Sequence, residues 1–212
     1  MNGLKRGAIG LLGTLLVVAA GASMWFWFTP VGVNNYVNKV TLQLAIDSPE
    51  LLTYLGAIDN TPLDFHSGKL ADYTKEEEER SIAKLRNARE GLDDYGPDGL
   101  SGQELLTWKI AAWFFDDQLR QAELRYSGYR VNQISGVTVN MPQFLTDTHV
   151  IKNKKSVRRY LSRLAEFGRV LRETHERVTD DRANGVIPPD FVIEKALVGM
   201  NKFIEGGAAE NP

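Results

Sequence analysis

The chain contains three histidines, His66, His149 and His175, and only His175 has a neighbour that suggests metal chemistry. His175-Glu176 opens like a His-Glu-x-x-His zinc helix, in which two imidazoles one turn apart hold the ion and the glutamate activates water. The position for the second imidazole is Thr179, so the motif is incomplete. His175 also shares a helical stripe with Leu171 and Val178, which predicts a histidine at the edge of a packed face. Asp116-Asp117 are adjacent, and adjacent helix positions point in different directions, so they make a poor metal pair. The acid run Glu76 to Glu79 suits the positive end of a helix dipole, a solvated first turn rather than an ion site. No Gly-x-Ser-x-Gly elbow, phosphate-binding Gly-Lys loop or dinucleotide fingerprint is present. Cysteine is absent, which removes thiolate and disulfide chemistry. The sequence therefore predicts no catalytic, cofactor-binding or metal-ligating residue. The remaining candidates are polar: the amides of Asn132 and Gln133, with Gly136 beside them, can line a cleft and hold a peptide backbone, or can tie down their own loop.

These residues need elements to position them. A formal net charge of -2 offers no attraction for phosphate backbones, so nucleic acid is not an expected partner. Residues 8–28 carry no charge, giving about 21 residues and roughly 31 Å of helix, enough to span a hydrocarbon core. Lys5 and Arg6 precede the run and no basic residue follows until Lys39, while Trp25 and Trp27 stand at its outer end. Those flanks predict a single-pass signal-anchor over 1–30 in the inner (cytoplasmic) membrane, with the N-terminus inside, the bulk of the chain extracytoplasmic and the bilayer contacted through residues 8–28. Ala20-Gly21-Ala22 supplies the competing reading, a cleaved signal peptide.

The region 34–212 reads as mainly α, an amphipathic helical region. Ser48-Pro49-Glu50 starts a short helix that Gly56 closes, and a loop follows to about Tyr73. Thr74-x-x-Glu77 is a capping box before a stripe of Ile82, Leu85 and Leu92. Ser101-x-x-Glu104 opens a helix whose Trp108, Trp113, Phe114 and Phe115 predict a central position. From 126 to 141 the β-branched and aromatic residues with glycine breaks predict a short extended, β-like segment. The next helix, 153–181, places Val157, Tyr160, Leu161, Leu164, Phe167, Leu171 and Val178 on one face, predicted buried. Its basic run, Lys152 to Arg163, reads as solvated. Pro188-Pro189-Asp190 opens a last helix.

Asn132-Gln133-Ile134-Ser135-Gly136-Val137, then Met141-Pro142-Gln143-Phe144-Leu145 and His149, resemble the bacterial family called domain of unknown function 885. Tyr160-Leu161-Ser162-Arg163-Leu164, Gly185 to Val192 and the final Glu210-Asn211-Pro212 are similar to its later segments in the same order. Members of that family are longer, largely helical and regarded as zinc metallopeptidase-like, with the zinc helix beyond the region matched here. The resemblance implies the N-terminal helical portion of an extracytoplasmic metallopeptidase, an incomplete domain that covers and shapes a substrate cleft, with zinc only in a full-length relative and a C-terminal catalytic half as its partner. The alternative from a different class is a non-enzymatic, membrane-tethered helical interaction module.

Overall fold

The computed structural model describes residues 30–206 and, before them, Val17, Val18, Gly21 and Ser23. Seven helices order the described chain: α1 (Val33–Ile46), α2 (Pro49–Leu55), α3 (Lys75–Asp93), α4 (Gly102–Glu123), α5 (Val137–Asp147), α6 (Lys154–Ala183) and α7 (Asp190–Glu205). Several boundaries follow from local chemistry. The Ser48 side chain accepts the Leu51 N–H at the start of α2, and Gly56 ends it in the left-handed region at φ 61°. Thr74 Oγ1 accepts from the Glu77 N–H at 3.3 Å to begin α3. Asn153 and Ser156 close a reciprocal capping box on α6, with the Asn153 side chain accepting from the Ser156 N–H and the Ser156 side chain accepting from the Asn153 N–H.

Two expectations are corrected. Among the described residues no helix is long and apolar enough to cross a membrane, against the predicted transmembrane signal-anchor and the single-pass inner-membrane placement. The helices with sufficient length, α3, α4 and α6 at 19, 22 and 30 residues, are all heavily charged. Even α4, the most apolar of them, carries Glu104, Lys109, Asp116, Asp117, Arg120 and Glu123, each costly in hydrocarbon. Apart from the four residues named above, the 8–28 run lies outside the described residues, as do Lys5, Arg6, Trp25 and Trp27. The extended segment over 126–141 is also corrected. No strand forms among the described residues, and the only pairing in that stretch is an isolated antiparallel bridge between Val131 and Gly136. From Val137 the chain is helical despite its β-branched residues, because α5 buries Met141, Phe144 and Leu145 on one face and that burial outweighs local propensity.

The chain divides into two compact units. The first comprises the described part of Met1–Gln43 with Asn87–Asp116. Its core joins Val33, Val40, Ala88, Leu92, Ala111, Ala112 and Phe115. The Tyr36 hydroxyl donates to the Ala88 carbonyl at 2.7 Å, and Trp108 Nε1 donates to the Leu92 carbonyl at 3.2 Å. The expected central aromatic helix turns only Ala111, Ala112 and Phe115 fully inward, leaving Trp113 66% exposed.

The second unit comprises Leu44–Arg86 and Asp117–Pro212, of which the residues to Gly206 are described. Its hydrophobic cluster is Leu70, Met141, Phe144, Leu145 and Val170, flanked by Tyr73, Val137, Tyr160 and Phe167. The buried face of α6 differs from the predicted one. Ser156, Arg163, Val170, Thr174, Arg177 and Asp181 are buried, whereas Val157, Leu161, Leu164, Leu171 and Val178 are exposed, Leu161 at 54%. The reason lies in the loop before α3. Its carbonyls need partners once the loop is pressed against the helix. Arg159 reaches the Asp64 carbonyl, Arg163 donates to Lys69 O at 2.9 Å, and Arg169 donates to Ala71 O at 3.1 Å. Arg159 and Arg163, which read as solvated, are therefore clamps that hold this loop, together with Arg169.

Candidate functional site

A cavity of about 400 Å³ opens in the second unit where α2, the clamped loop, α5 and α6 meet. Each wall has a local cause. Glu50 enters from the first turn of α2, and its Oε1 accepts the Ala71 N–H at 2.9 Å, which ties the loop to that helix. Leu70 and Tyr73 come from the loop, whose Tyr73 N–H donates to Glu173 Oε2 at 3.0 Å. Val137, Asn140, Met141 and Phe144 line it from α5, and Thr174 and Arg177 from α6. Arg130 and Gly136 arrive from the turn before α5. Gly136 stands at φ 112°, and a Cβ there would lie 2.6 Å from the Arg130 carbonyl oxygen, so only glycine lets the turn close and α5 begin.

Charge in the cavity is held in place from behind. Arg130 Nε donates to Asp181 Oδ2 at 2.8 Å, and Arg130 and Arg177 both pair with Glu78. Three atoms of the lining residues are buried and keep no hydrogen-bond partner: Glu50 Oε2, Thr174 Oγ1 and Arg177 Nη1. Tyr73 remains a protonated phenol, because burial first and the nearby Glu50 charge second push its pKa up to about 12. The residues around the cavity thus carry a carboxylate oxygen, a guanidinium nitrogen and a hydroxyl without partners, beside Leu70, Met141 and Phe144. Buried polar atoms left open in this way carry a desolvation cost until something bonds to them.

Of the predicted cleft residues, Gly136 lines this cavity. Asn132 and Gln133 line a second, more apolar groove of about 480 Å³ between α5, α6 and α7. The two spaces share Val137 and Met141. The paired amides do different things. Asn132 is committed to its own turn: Oδ1 accepts from the Ile134 and Ser135 N–H groups, each at 2.8 Å, and Nδ2 donates to Tyr129 O and Ser135 Oγ. Gln133 Oε1 is buried without a partner.

The histidines do not assemble. His175 is exposed on α6. His66, 1% exposed, has Nε2 at 2.7 Å from Asp59 Oδ1 and Nδ1 at 3.5 Å from Asp64 Oδ1. That trio does not fit zinc. Asp64 is already occupied by the Asn60 and Ser67 N–H groups, the Ser67 hydroxyl and Arg159. Burial pushes its carboxyl up, yet these bonds and the Arg159 charge outweigh that and hold it below the usual carboxylate range. Among the described residues no group of three or more His, Cys, Asp or Glu could hold a metal ion. Glu50, Arg130, Thr174 and Arg177 were not candidates from sequence. The one signal for part of this set is the seven-residue spacing Ser156, Arg163, Val170, Arg177, a second and mostly polar stripe on α6.

A family profile described as "Bacterial protein of unknown function (DUF885)" matches residues 49–212, a range that includes every residue lining both spaces. No curated protein and no solved structure matches the chain.

Proposed function

The chain belongs to the DUF885 family of bacterial proteins, and from that premise we propose that its second unit is a substrate-binding element, which holds a peptide segment and performs no bond cleavage itself. The observation that carries this is that Glu50, Thr174 and Arg177, which line one cavity of about 400 Å³, each hold a buried polar atom with no hydrogen-bond partner. A peptide carries a donor and an acceptor on every residue, so its N–H satisfies the carboxylate while its carbonyl satisfies the guanidinium. The apolar wall then takes a side chain. A cavity of this size with few, placed polar groups is the ordinary form of a small-ligand site. The resemblance to metallopeptidase-like proteins agrees with a peptide as ligand, and in that context the unit shapes the cleft while metal chemistry comes from elsewhere.

The test is thermal denaturation of the whole chain against short peptides, with Glu50→Gln and Arg177→Lys as variants. A binding peptide at about 100 times its Kd raises stability by about 2.7 kcal/mol, and both variants reduce the rise. No rise with any peptide at millimolar concentration overturns the reading. A second reading, a non-enzymatic helical interaction module, is favoured by one observation: the exposed α6 stripe of Val157, Leu161, Leu164, Leu171 and Val178.

A further inference from the structure

The groove beside the cavity has two properties that a passive surface crease lacks. Its lining is predominantly apolar, with Phe167 and Leu171 from α6, Met141 from α5 and Met200 from α7. Gln133 also lines it, and the Oε1 of that side chain is buried with no hydrogen-bond partner. An apolar wall fits a hydrocarbon side chain, and an orphaned amide oxygen requires a donor beside that side chain. A peptide residue with a large apolar side chain supplies both at once: its backbone N–H reaches the amide and its side chain fills the groove. Continuity argues that this is the same ligand, because Val137 and Met141 of α5 line the groove and the polar cavity alike. Extended chain advances about 3.3 Å per residue, so neighbouring residues of one peptide serve neighbouring spaces.

We infer that this groove is a specificity subsite for a leucine-, methionine- or phenylalanine-sized residue of the bound peptide, with Gln133 receiving that residue's N–H. The inference rests on the peptide-binding reading above. Methionine at positions 141 and 200 suits the role, since the unbranched thioether adapts to side chains of different shape. Gly199 marks the open floor: it lines the groove in the middle of α7, and a Cβ added there would meet nothing within 4 Å.

That glycine provides a variant that fills the groove without threatening the fold. Gly199→Leu places a side chain in open space and replaces a poor helix former with a good one, so the melting midpoint holds or rises. Binding of paired peptides differing only in one central residue, leucine against alanine, is measured by calorimetry on the whole chain. The leucine peptide binds wild type about tenfold more tightly. Gly199→Leu abolishes that preference and leaves alanine-peptide binding in place, and Gln133→Leu weakens both peptides. Equal binding of the two peptides to wild type overturns the subsite and leaves the peptide reading standing. Absence of binding by either overturns both. A preference that survives in Gly199→Leu places the apolar contact elsewhere and overturns the assignment, as does a wild-type dimer that Gly199→Leu dissociates, which gives the groove to a second copy.

Discussion

Arg163 Nη1 lies 3.0 Å from His149 Nδ1, and a guanidinium has only hydrogens to give, so this ring nitrogen must be the acceptor. His149 Nε2 lies 3.2 Å from the Ser156 carbonyl, which can only accept, so the proton sits there. The imidazole is neutral, in one tautomer, between a cation and a carbonyl. Arg163 itself is 0% exposed and also donates to Thr53 Oγ1 at 2.7 Å, with its guanidinium carbon 4.9 Å from the centre of the Phe144 ring. One side chain thus links α2, the clamped loop and α5 to α6.

The first prediction concerns pH. Burial lowers the His149 pKa, the Ser156 carbonyl pulls it back up, and the Arg163 charge adds to the lowering, with a net result below the ordinary 6.5. As pH falls through about 6.5, the unfolded chain takes up a proton that the folded ring refuses, so stability declines until the folded value is reached. The contribution is fully present above about 6.5. Urea denaturation at about pH 7.5 and about pH 5.5 should show a larger loss in wild type than in His149→Gln. Identical losses would sink the assignment.

Removing the buried cation should be severe. Arg163→Met keeps length and packing but strands the Lys69 carbonyl and His149 Nδ1, and leaves the Thr53 hydroxyl only its bond to the Pro49 carbonyl. Each buried group left unpaired costs about 1 to 3 kcal/mol, so a loss of at least about 2 kcal/mol is expected in chemical denaturation. Arg163→Lys should recover only part of it, because an ammonium cannot span the same carbonyls as a planar fork. A loss below about 1 kcal/mol would show that the network is not what holds the loop.

Gly136→Ala tests the turn that opens α5. The backbone at φ 112° and the 2.6 Å approach to the Arg130 carbonyl both exclude a methyl group. The expected cost is about 1 to 3 kcal/mol, together with weaker peptide binding as Arg130 is displaced from the cavity wall. Gly199→Ala is the control. Its Cβ meets open space, so stability should be unchanged or higher by up to about 1 kcal/mol. Equal effects of the two substitutions would refute the argument from backbone geometry.

Thr174→Val should separate stability from binding. The hydroxyl is buried with no partner, so replacing it by a methyl of similar shape removes a desolvation cost. The free chain should gain roughly 0.5 to 1 kcal/mol in denaturation while its affinity for peptide falls. A variant that is both less stable and unchanged in binding would remove Thr174 from the site.

Zinc should not bind stoichiometrically to this chain, because Asp64 beside His66 is saturated and His175 has Thr179 where a second imidazole belongs. Dialysis followed by metal analysis measures this. One zinc retained per chain, and lost in His66→Ala or His175→Ala, would overturn it.

The residues alone determine where most helices start and stop, since Ser48, Thr74, Asn153 and Gly185 act through bonds or dihedral angles within a few residues of themselves. They also carry the family resemblance, which the profile match over 49–212 bears out. Two matters were decided only by tertiary structure. One is the helical state of residues 137–147, whose β-branched content favours strand until Met141, Phe144 and Leu145 find Leu70 and Val170 to pack against. The other is which face of α6 turns inward. Apolar periodicity reports where hydrocarbon lies on a helix but not what stands opposite it. In this fold a loop more than ninety residues earlier stands there, presenting carbonyls that arginines of the helix satisfy. The polar stripe is therefore buried, and the cavity with its open bonds to Glu50, Thr174 and Arg177 exists because of that choice.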